Sequence, residues 1–161
     1  MTQHVKIIVI AVAALVVVLV VYGVYTFVEE PGNATSQVPS SFTVNGRSYD
    51  FTYTATTPAE RAAGLMNTRV TNTTTMLFAF PSSGQWSFWM YDTNTSLDII
   101  WVSATGNSGH VVYAVTSAQP CYNSGACTVY TPTAEANFVI EAKAGFAAAN
   151  EIAVGADIQF G

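Results

Sequence analysis

Charged residues are scarce in this chain of 161 residues, since only 9% of them are Asp, Glu, Lys or Arg. The balance is acidic, with ten acidic and five basic side chains and a formal net charge of −5. Nucleic acids and anionic lipid surfaces attract proteins that carry a basic patch. The composition therefore argues against both, and we expect no nucleic-acid partner.

Residues that build reactive centres are also few. The chain has two cysteines and two histidines, with no CxxC pair and no phosphate-cradling glycine loop. Asp92, Asn94 and Ser96 imitate the first positions of a calcium loop, but Leu97 stands where that loop needs glycine. We expect a polar turn there, no metal site and no cofactor. Nothing in the sequence indicates an enzyme.

The chain is rich in apolar residues, and residues 7–28 form an unbroken run without a charge. A helix of that length spans about 33 Å, enough for a hydrocarbon core of about 30 Å. Lys6 precedes the run and two glutamates follow it, which favours a cytoplasmic N-terminus. We predict a single-pass anchor over residues 1–28 in the cell membrane. A cleaved signal peptide is the alternative, but its apolar core would be shorter.

Residues 29–41 have the Pro, Gly, Ser and Thr content of a flexible linker, so residues 42–161 are predicted to form one extracytoplasmic domain. An even pair of cysteines in such a domain indicates a disulfide, here between Cys121 and Cys127. The candidate N-glycosylation sites are Asn33, Asn72 and Asn94.

Strand signals dominate the domain. Asn45-Gly46 between two apolar-polar alternations predicts a type I′ hairpin over residues 41–53. Thr57, Pro58 and Glu60 predict a capping box that starts a short helix ending near Met66. Further strands are predicted at residues 76–80, 86–91, 97–104, 110–116, 128–130, 138–143 and 157–160, with a second short helix over residues 145–151. The pattern predicts a mainly β domain with two short helices, a sandwich or barrel.

Several motifs occur in a fixed order along this domain. They are Glu60-Arg61-x-x-Gly64-Leu65-Met66, Met76-Leu77-Phe78-x-Phe80-Pro81, Phe88-Trp89-Met90, Leu97-Asp98-Ile99-Ile100, Val139-Ile140-Glu141 and Gly155-x-Asp157. The set resembles a small prokaryotic family, the domain of unknown function numbered 192, over about residues 42–160. The resemblance implies a jelly-roll-like β-sandwich, often exported or membrane-tethered, with no established reaction. The chain departs from the family pattern at Tyr91-Asp92-Thr93, where the family tends to carry Lys-Asn-Thr.

The predicted strand at residues 86–91 is the best candidate for a binding surface. Strand alternation places Trp86, Phe88 and Met90 on one face, and Trp89 with Tyr91 on the other. Aromatic side chains offer a large contact area at low entropic cost. Two interpretations remain open: a central strand buried on both sides, which we favour, or an aromatic platform for a ligand.

Two carboxylates, Asp98 and Glu141, stand among apolar strand residues, and a buried carboxylate requires a partner. Cations are few, so Arg61 and Arg69 are the expected partners of Asp98. One interpretation is a cleft where Arg61, Asp98 and Glu141 converge on a ligand. The other, which we favour, is an ion-pair network that holds the short helix to the sheet.

We expect an anchored, non-catalytic binding module for a small polar molecule, a glycan or a peptide. The predicted site residues are Trp89, Tyr91, Asp92 and Asp98, with Arg61 and Glu141 in support. A structural cell-envelope or pilin-like subunit is the second hypothesis. An uncharacterised enzyme, which would need an acid–base pair in a pocket, is the third.

Overall fold

The computed structural model describes residues 38–123 and 125–161. The predicted anchor at residues 7–28 and the sequon at Asn33 lie outside the described residues, as does most of the predicted linker. Within the two described ranges, no helix combines the length and the apolar character that crossing a membrane requires.

The predicted hairpin is confirmed. Strand β1 covers Ser41–Val44 and β2 covers Arg47–Asp50, paired antiparallel. Asn45 and Gly46 have φ values of 49° and 75°, the two successive positive angles that a type I′ turn needs. The predicted second strand is interrupted after Asp50, and the chain re-enters the sheet as β3, Tyr53–Ala55.

The predicted capping box is also confirmed at the start of helix α1, Pro58–Ala63. The Thr57 hydroxyl accepts from the Glu60 N–H at 3.2 Å, and the Glu60 carboxylate accepts from the Thr57 N–H at 2.9 Å. The hydrogen bonds that the Glu60 carboxylate accepts from the backbone N–H groups of Thr57 and Thr56 lower the pKa of Glu60 to about 2. The helix ends earlier than predicted, because Gly64 leaves the helical region with φ 47°.

Most of the remaining predicted elements are present, with shifted ends. They are β4 Thr75–Gly84, β5 Phe88–Trp89, β6 Leu97–Thr105, β7 Ser108–Ala118, β8 Val129–Tyr130, β9 Ala136–Lys143, α2 Phe146–Ala149 and β10 Asp157–Phe160. The largest difference is β5, which was predicted to run over residues 86–91. It pairs only with the two residues of β8, so the hydrogen-bond ladder is that short.

Eight strands form one sheet in the order β2-β1-β10-β7-β6-β9-β4-β3, and β5 and β8 form a separate two-stranded sheet. The edge strands β2 and β3 are joined by only two residues, Phe51 and Thr52. The Thr75 hydroxyl donates to the Asp50 carbonyl at 2.6 Å, and the Thr52 N–H donates to the Thr75 carbonyl at 2.9 Å. The sheet therefore curls until its two edges meet. A mainly β domain with two short helices is confirmed.

The curled sheet buries apolar residues on both faces, and β6 contributes alternately to each. Its residues Ile100 and Val102 belong to an inner core with Phe42 of β1 and Leu77 of β4. These two strands lie far apart in the strand order, so the inner core is the one enclosed by the curl. Ile99 and Trp101 belong to the opposite, outer core. Its other buried members are Ala55, Leu65, Met76, Phe78, Met90, Leu97, Ala118, Ala136 and Val139.

Candidate functional site

A cavity of about 240 Å³ opens against the outer core. Four parts of the chain line it: helix α1 with the residues that follow it, strand β4, the aromatic segment around β5, and strand β9. The side chains that define its character are Arg61, Phe80, Trp86, Phe88, Trp89 and Glu141. The volume is below the range of about 300–1,000 Å³ that is usual for drug-sized ligands, so the cavity suits a small molecule.

Glu141 is placed in the cavity by strand β9. Its register partners are Met76 on β4 and Ile99 on β6, and directly paired residues of antiparallel strands share a face of the sheet. The carboxyl group is therefore surrounded by apolar neighbours, and the residue is only 3% exposed. Burial raises the pKa of Glu141 to about 8, without an opposing contribution from a cation or a hydrogen bond. At pH 7 the group is mainly neutral and can both donate and accept.

Arg61 enters the cavity from helix α1 and is held by the backbone. Its Nη1 donates to the carbonyl of Thr56 and to that of Ala79, the latter at 2.9 Å. The guanidinium carbon lies 5.0 Å from the centroid of the Phe80 ring, within cation–π distance. A guanidinium has five N–H donors, and no described residue accepts from Nε or Nη2. The side chain is thus fixed while donors remain for a ligand.

One wall of the cavity consists of aromatic rings that pack against one another or against the outer core. Trp86 stacks on Phe80 with centroids 4.3 Å apart and planes within 6°. Phe88 packs edge-on against Trp101 at 5.6 Å. Trp89 is 42% exposed, so the prediction of a central strand buried on both sides is wrong at this residue. It is wrong because β5 belongs to the small separate sheet, whose outer face no other described element covers.

Trp86 carries the one side-chain nitrogen or oxygen, among the described residues, that is closed off from solvent and also lacks a hydrogen-bond partner. This atom is the indole Nε1. The backbone carbonyl of the same residue, by contrast, accepts from the indole N–H of Trp101 at 2.8 Å. The aromatic segment is therefore tied to the outer core through its backbone, while one of its ring donors stays unsatisfied.

Asp98 lies on the other face of the sheet from Glu141 and does not line the cavity. It is 1% exposed. Its carboxylate accepts from three backbone N–H groups at 2.8–3.0 Å, those of Ser117, Gly145 and Ala147. The predicted pairing of Asp98 with Arg61 or Arg69 is wrong. The reason is that backbone donors from β7 and from the start of α2 already satisfy both carboxylate oxygens.

Tyr91 and Asp92 adjoin the cavity without lining it. The Tyr91 ring lies 5.4 Å from that of Trp89. Asp92 has a positive φ of 50°, and its N–H donates to the Cys121 carbonyl at 2.8 Å. Cys121 and Cys127 stand in disulfide geometry, with Cα atoms 5.6 Å apart. The cysteine loop thus supports the chain that carries Tyr91 and Asp92.

Two of the three predicted sequons lie in the described part of the chain, and both asparagines are exposed. The Asn72 side-chain oxygen accepts from the Lys143 ammonium at 2.9 Å. Glycosylation of these residues stays a prediction.

Three of the predicted site residues meet at one cavity: Arg61, Trp89 and Glu141. The sequence analysis did not single out Phe80 or assign Trp86 to a site. The available signal was the spacing of Phe78 and Phe80, which places both rings on one face of a strand. This spacing predicts an aromatic face but does not show that a cavity adjoins it. The cavity is formed by elements that are distant in the sequence, so no local sequence pattern predicts it.

The chain is similar to a known protein family and to two solved structures. A family profile described as "Uncharacterized ACR", DUF192, matches residues 41–160. Among curated proteins, none matches the chain. A crystal structure of a protein of unknown function from Novosphingobium aromaticivorans DSM 12444 is similar, with 28% identity, a TM-score of 0.62, and coverage of 76% of this chain and 84% of the other.

A second similar structure comes from Sinorhizobium meliloti 1021 and is provisionally described as a transcription regulator. It has 22% identity and a TM-score of 0.63, covering 74% of this chain and 90% of the other. At that identity the likeness concerns the fold alone.

Proposed function

This chain belongs to the DUF192 family, and from that premise we propose that its domain is a non-catalytic binding module for a small polar ligand. The ligand lies in the cavity between α1 and the aromatic segment. The observation that carries the proposal is Glu141, which is only 3% exposed, lines the cavity and receives no hydrogen bond from any described residue.

Burying a carboxyl group without a partner costs free energy, and such groups concentrate at functional sites. Arg61 adds unused donors to the same cavity, and Trp89 adds an exposed aromatic surface. A few polar groups set among aromatic walls are the usual composition of a small-molecule site. Together these features support ligand recognition.

Binding without catalysis is the simpler function for this set of groups. Among the residues that line the cavity, the charged side chains are Arg61 and Glu141. The Ser87 hydroxyl, the most nucleophilic type of side chain in the lining, pairs with the Thr131 hydroxyl at 2.8 Å and has no base beside it. These contacts support a recognition role over a nucleophilic one.

We also propose that residues 7–28 anchor the protein in the cell membrane and hold the domain on the extracytoplasmic side. The support is the length of the uncharged run together with a cysteine pair in disulfide geometry, which favours an oxidising compartment. The finer fold description, a jelly-roll-like sandwich, is likewise a proposal. It is supported by the packing of β1 against β4 across the inner core.

The test uses the full-length protein in detergent and follows the indole ¹H–¹⁵N signals of its tryptophans. Candidate ligands are monosaccharides, free amino acids, betaines and dipeptides. We expect at least one class to shift the Trp86 and Trp89 signals saturably, without turnover. Trp89→Ala should weaken that binding about fivefold or more, since aromatic contacts are worth about 1 kcal/mol.

Tyr122→Ala is the matched control, because Tyr122 is an exposed aromatic residue that does not line the cavity. It should leave the affinity unchanged. The proposal would be overturned if no class shifted the two signals, if Trp89→Ala had no effect, or if the bound compound were converted to a product.

A further inference from the structure

We propose that the ligand is a small zwitterion of the betaine class, with a quaternary ammonium group against Glu141 and a carboxylate on Arg61. This inference rests on the function proposed above. It follows from the two charged residues and the aromatic rings that line the cavity.

An ionised Glu141 in the lining favours a positively charged ligand group, and we infer one that brings no hydrogen-bond donors. A primary ammonium carries three donors, each of which needs an acceptor. Each of these hydroxyls in the lining already has one partner, Ser87 with Thr131 at 2.8 Å and Thr93 with the Tyr91 carbonyl at 3.4 Å, and a group without donors leaves both contacts undisturbed. A quaternary ammonium has no donors, pairs with a carboxylate by charge, and is attracted to aromatic ring faces. The rings of Trp86, Phe88 and Trp89 line this space.

The positive charge and the unused donors of Arg61 favour an anionic ligand group. The guanidinium is positioned by the carbonyls of Thr56 and Ala79, and its Nε and Nη2 groups donate to no described residue. A carboxylate fits two such donors in parallel. With Glu141 ionised, the lining carries one positive and one negative charge, so a ligand with one charge of each sign complements both. The volume of about 240 Å³ favours a compact ligand of this type.

Binding of a zwitterion requires Glu141 to ionise. The O–H bond of its carboxyl group breaks, the electron pair stays on the carboxylate, and the proton passes to the buffer. The register partners that face the group, Met76 on β4 and Ile99 on β6, are apolar, and Arg61 of α1 is the other charged residue in the lining. Because burial raises the pKa of Glu141 to about 8, the affinity should rise with pH up to that value.

The test compares three ligands of matched shape by calorimetry on the full-length protein in detergent. Glycine betaine carries both charges, 3,3-dimethylbutyrate replaces its ammonium by an uncharged carbon, and choline lacks the carboxylate. We expect betaine to bind at least tenfold more tightly than either. Betaine does not titrate between pH 6 and 9, so the expected gain of about tenfold per pH unit below 8 reports the protein alone. Close to one proton should be released at pH 7.

Glu141→Gln should remove the preference for betaine over 3,3-dimethylbutyrate, together with the proton release and the pH dependence. Glu135→Gln is the matched control, because Glu135 is an exposed glutamate that does not line the cavity. It should behave as the unchanged protein. Thermal unfolding of both variants verifies that they are folded before binding is measured.

The inference is overturned if betaine binds no better than its uncharged isostere, or if its affinity is independent of pH. The indole signals then separate the two proposals. If betaine fails while another class of compound shifts the Trp86 and Trp89 signals saturably, the ligand class is wrong and the binding function stands. If no compound shifts them, both are wrong.

Discussion

Asp98 and Glu141 are buried carboxyl groups on adjacent strands of one sheet, and the sheet separates them. Asp98 faces the inner-core side, where three backbone N–H groups satisfy it. Glu141 faces the outer core and a cavity, and its pKa is raised by burial alone. The same chemical group thus has three hydrogen-bond donors on one face of the sheet and none from the described residues on the other. Hydrogen-bond partners, and not burial, make the difference.

The two faces also differ in how they are built. Around Asp98 the donors come from the eleven-residue strand β7 and from the start of the four-residue helix α2. Around Glu141 the covering elements are a six-residue helix and two-residue strands. Short elements thus contribute to both faces, and the difference is that on the Asp98 side they supply backbone N–H groups to the carboxylate.

The largest expected effect concerns Glu141 and pH. The folded pKa of about 8 exceeds the ordinary value of 4.5, so between these values the folded protein keeps a proton that the unfolded chain has lost. The free energy of unfolding should therefore fall as pH rises through this window, by about 4–5 kcal/mol in total. Glu141→Gln should abolish this loss, as measured by urea unfolding at pH 5 and at pH 8.5.

The Glu135→Gln protein should show the same pH-dependent loss as the unchanged protein. If the Glu141→Gln protein lost stability over this pH range as steeply as the unchanged protein, Glu141 would not be the cause of the loss. The proposed difference between Glu141 and Asp98 would then be wrong.

The second effect concerns Asp98. Asp98→Ala leaves three buried backbone N–H groups without their acceptor and should lower the free energy of unfolding by about 3–4 kcal/mol. Asp98→Asn keeps one side-chain oxygen and should cost about half as much. Urea titration at pH 7 measures both. Asp157→Ala, at an exposed strand position, is the control. A cost below about 1 kcal/mol for Asp98→Ala would show that water replaces the carboxylate, contrary to its proposed role in the fold.

The third effect tests the support of the aromatic segment. Replacing Cys121 and Cys127 together by serine should lower the free energy of unfolding by about 2 kcal/mol, since the closed loop is short. Because the Cys121 backbone bonds Met90 and Asp92, the Trp89 indole signal should also broaden or shift. An unchanged Trp89 signal would mean that the loop does not hold this wall of the cavity.

The smallest effect concerns the helix that carries Arg61. Thr57→Ala removes the capping hydroxyl and should cost about 1 kcal/mol in the free energy of unfolding. Thr57→Ser keeps the hydroxyl and is the matched control, expected to differ little from the unchanged protein. If the alanine variant also weakens ligand binding, the cap helps to position Arg61. If ligand affinity is unaffected, the contacts of Arg61 with Thr56 and Ala79 suffice.

Local features of the fold were predictable because their causes lie within a few residues. Asn45-Gly46 specified the hairpin through its positive φ values, and Thr57 with Glu60 specified the start of α1. The length of the strand around Phe88 was not predictable. A strand extends only as far as its partner, and the partner β8 lies 40 residues further along the chain.

The site was predictable in part. Arg61, Glu141 and Trp89 were named from their residue types and do line one cavity. Asp98 was named on the same grounds and lies on the other face. Its partners Gly145 and Ala147 are 47 and 49 residues away, and they are backbone groups whose side chains carry no sign of the role. Hydrogen bonds from backbone N–H groups cannot be predicted from the types of side chain in the sequence.

The amino-acid sequence by itself determined the family, the mainly β character, the turn and the helix cap, because each depends on motifs or on contacts between near neighbours in the chain. Only the tertiary structure decided which buried carboxyl group is satisfied and which one borders an open space. That choice depends on the curl of the sheet and on the donors that distant segments bring to each face. The free energy of a buried charge is determined by its surroundings in space.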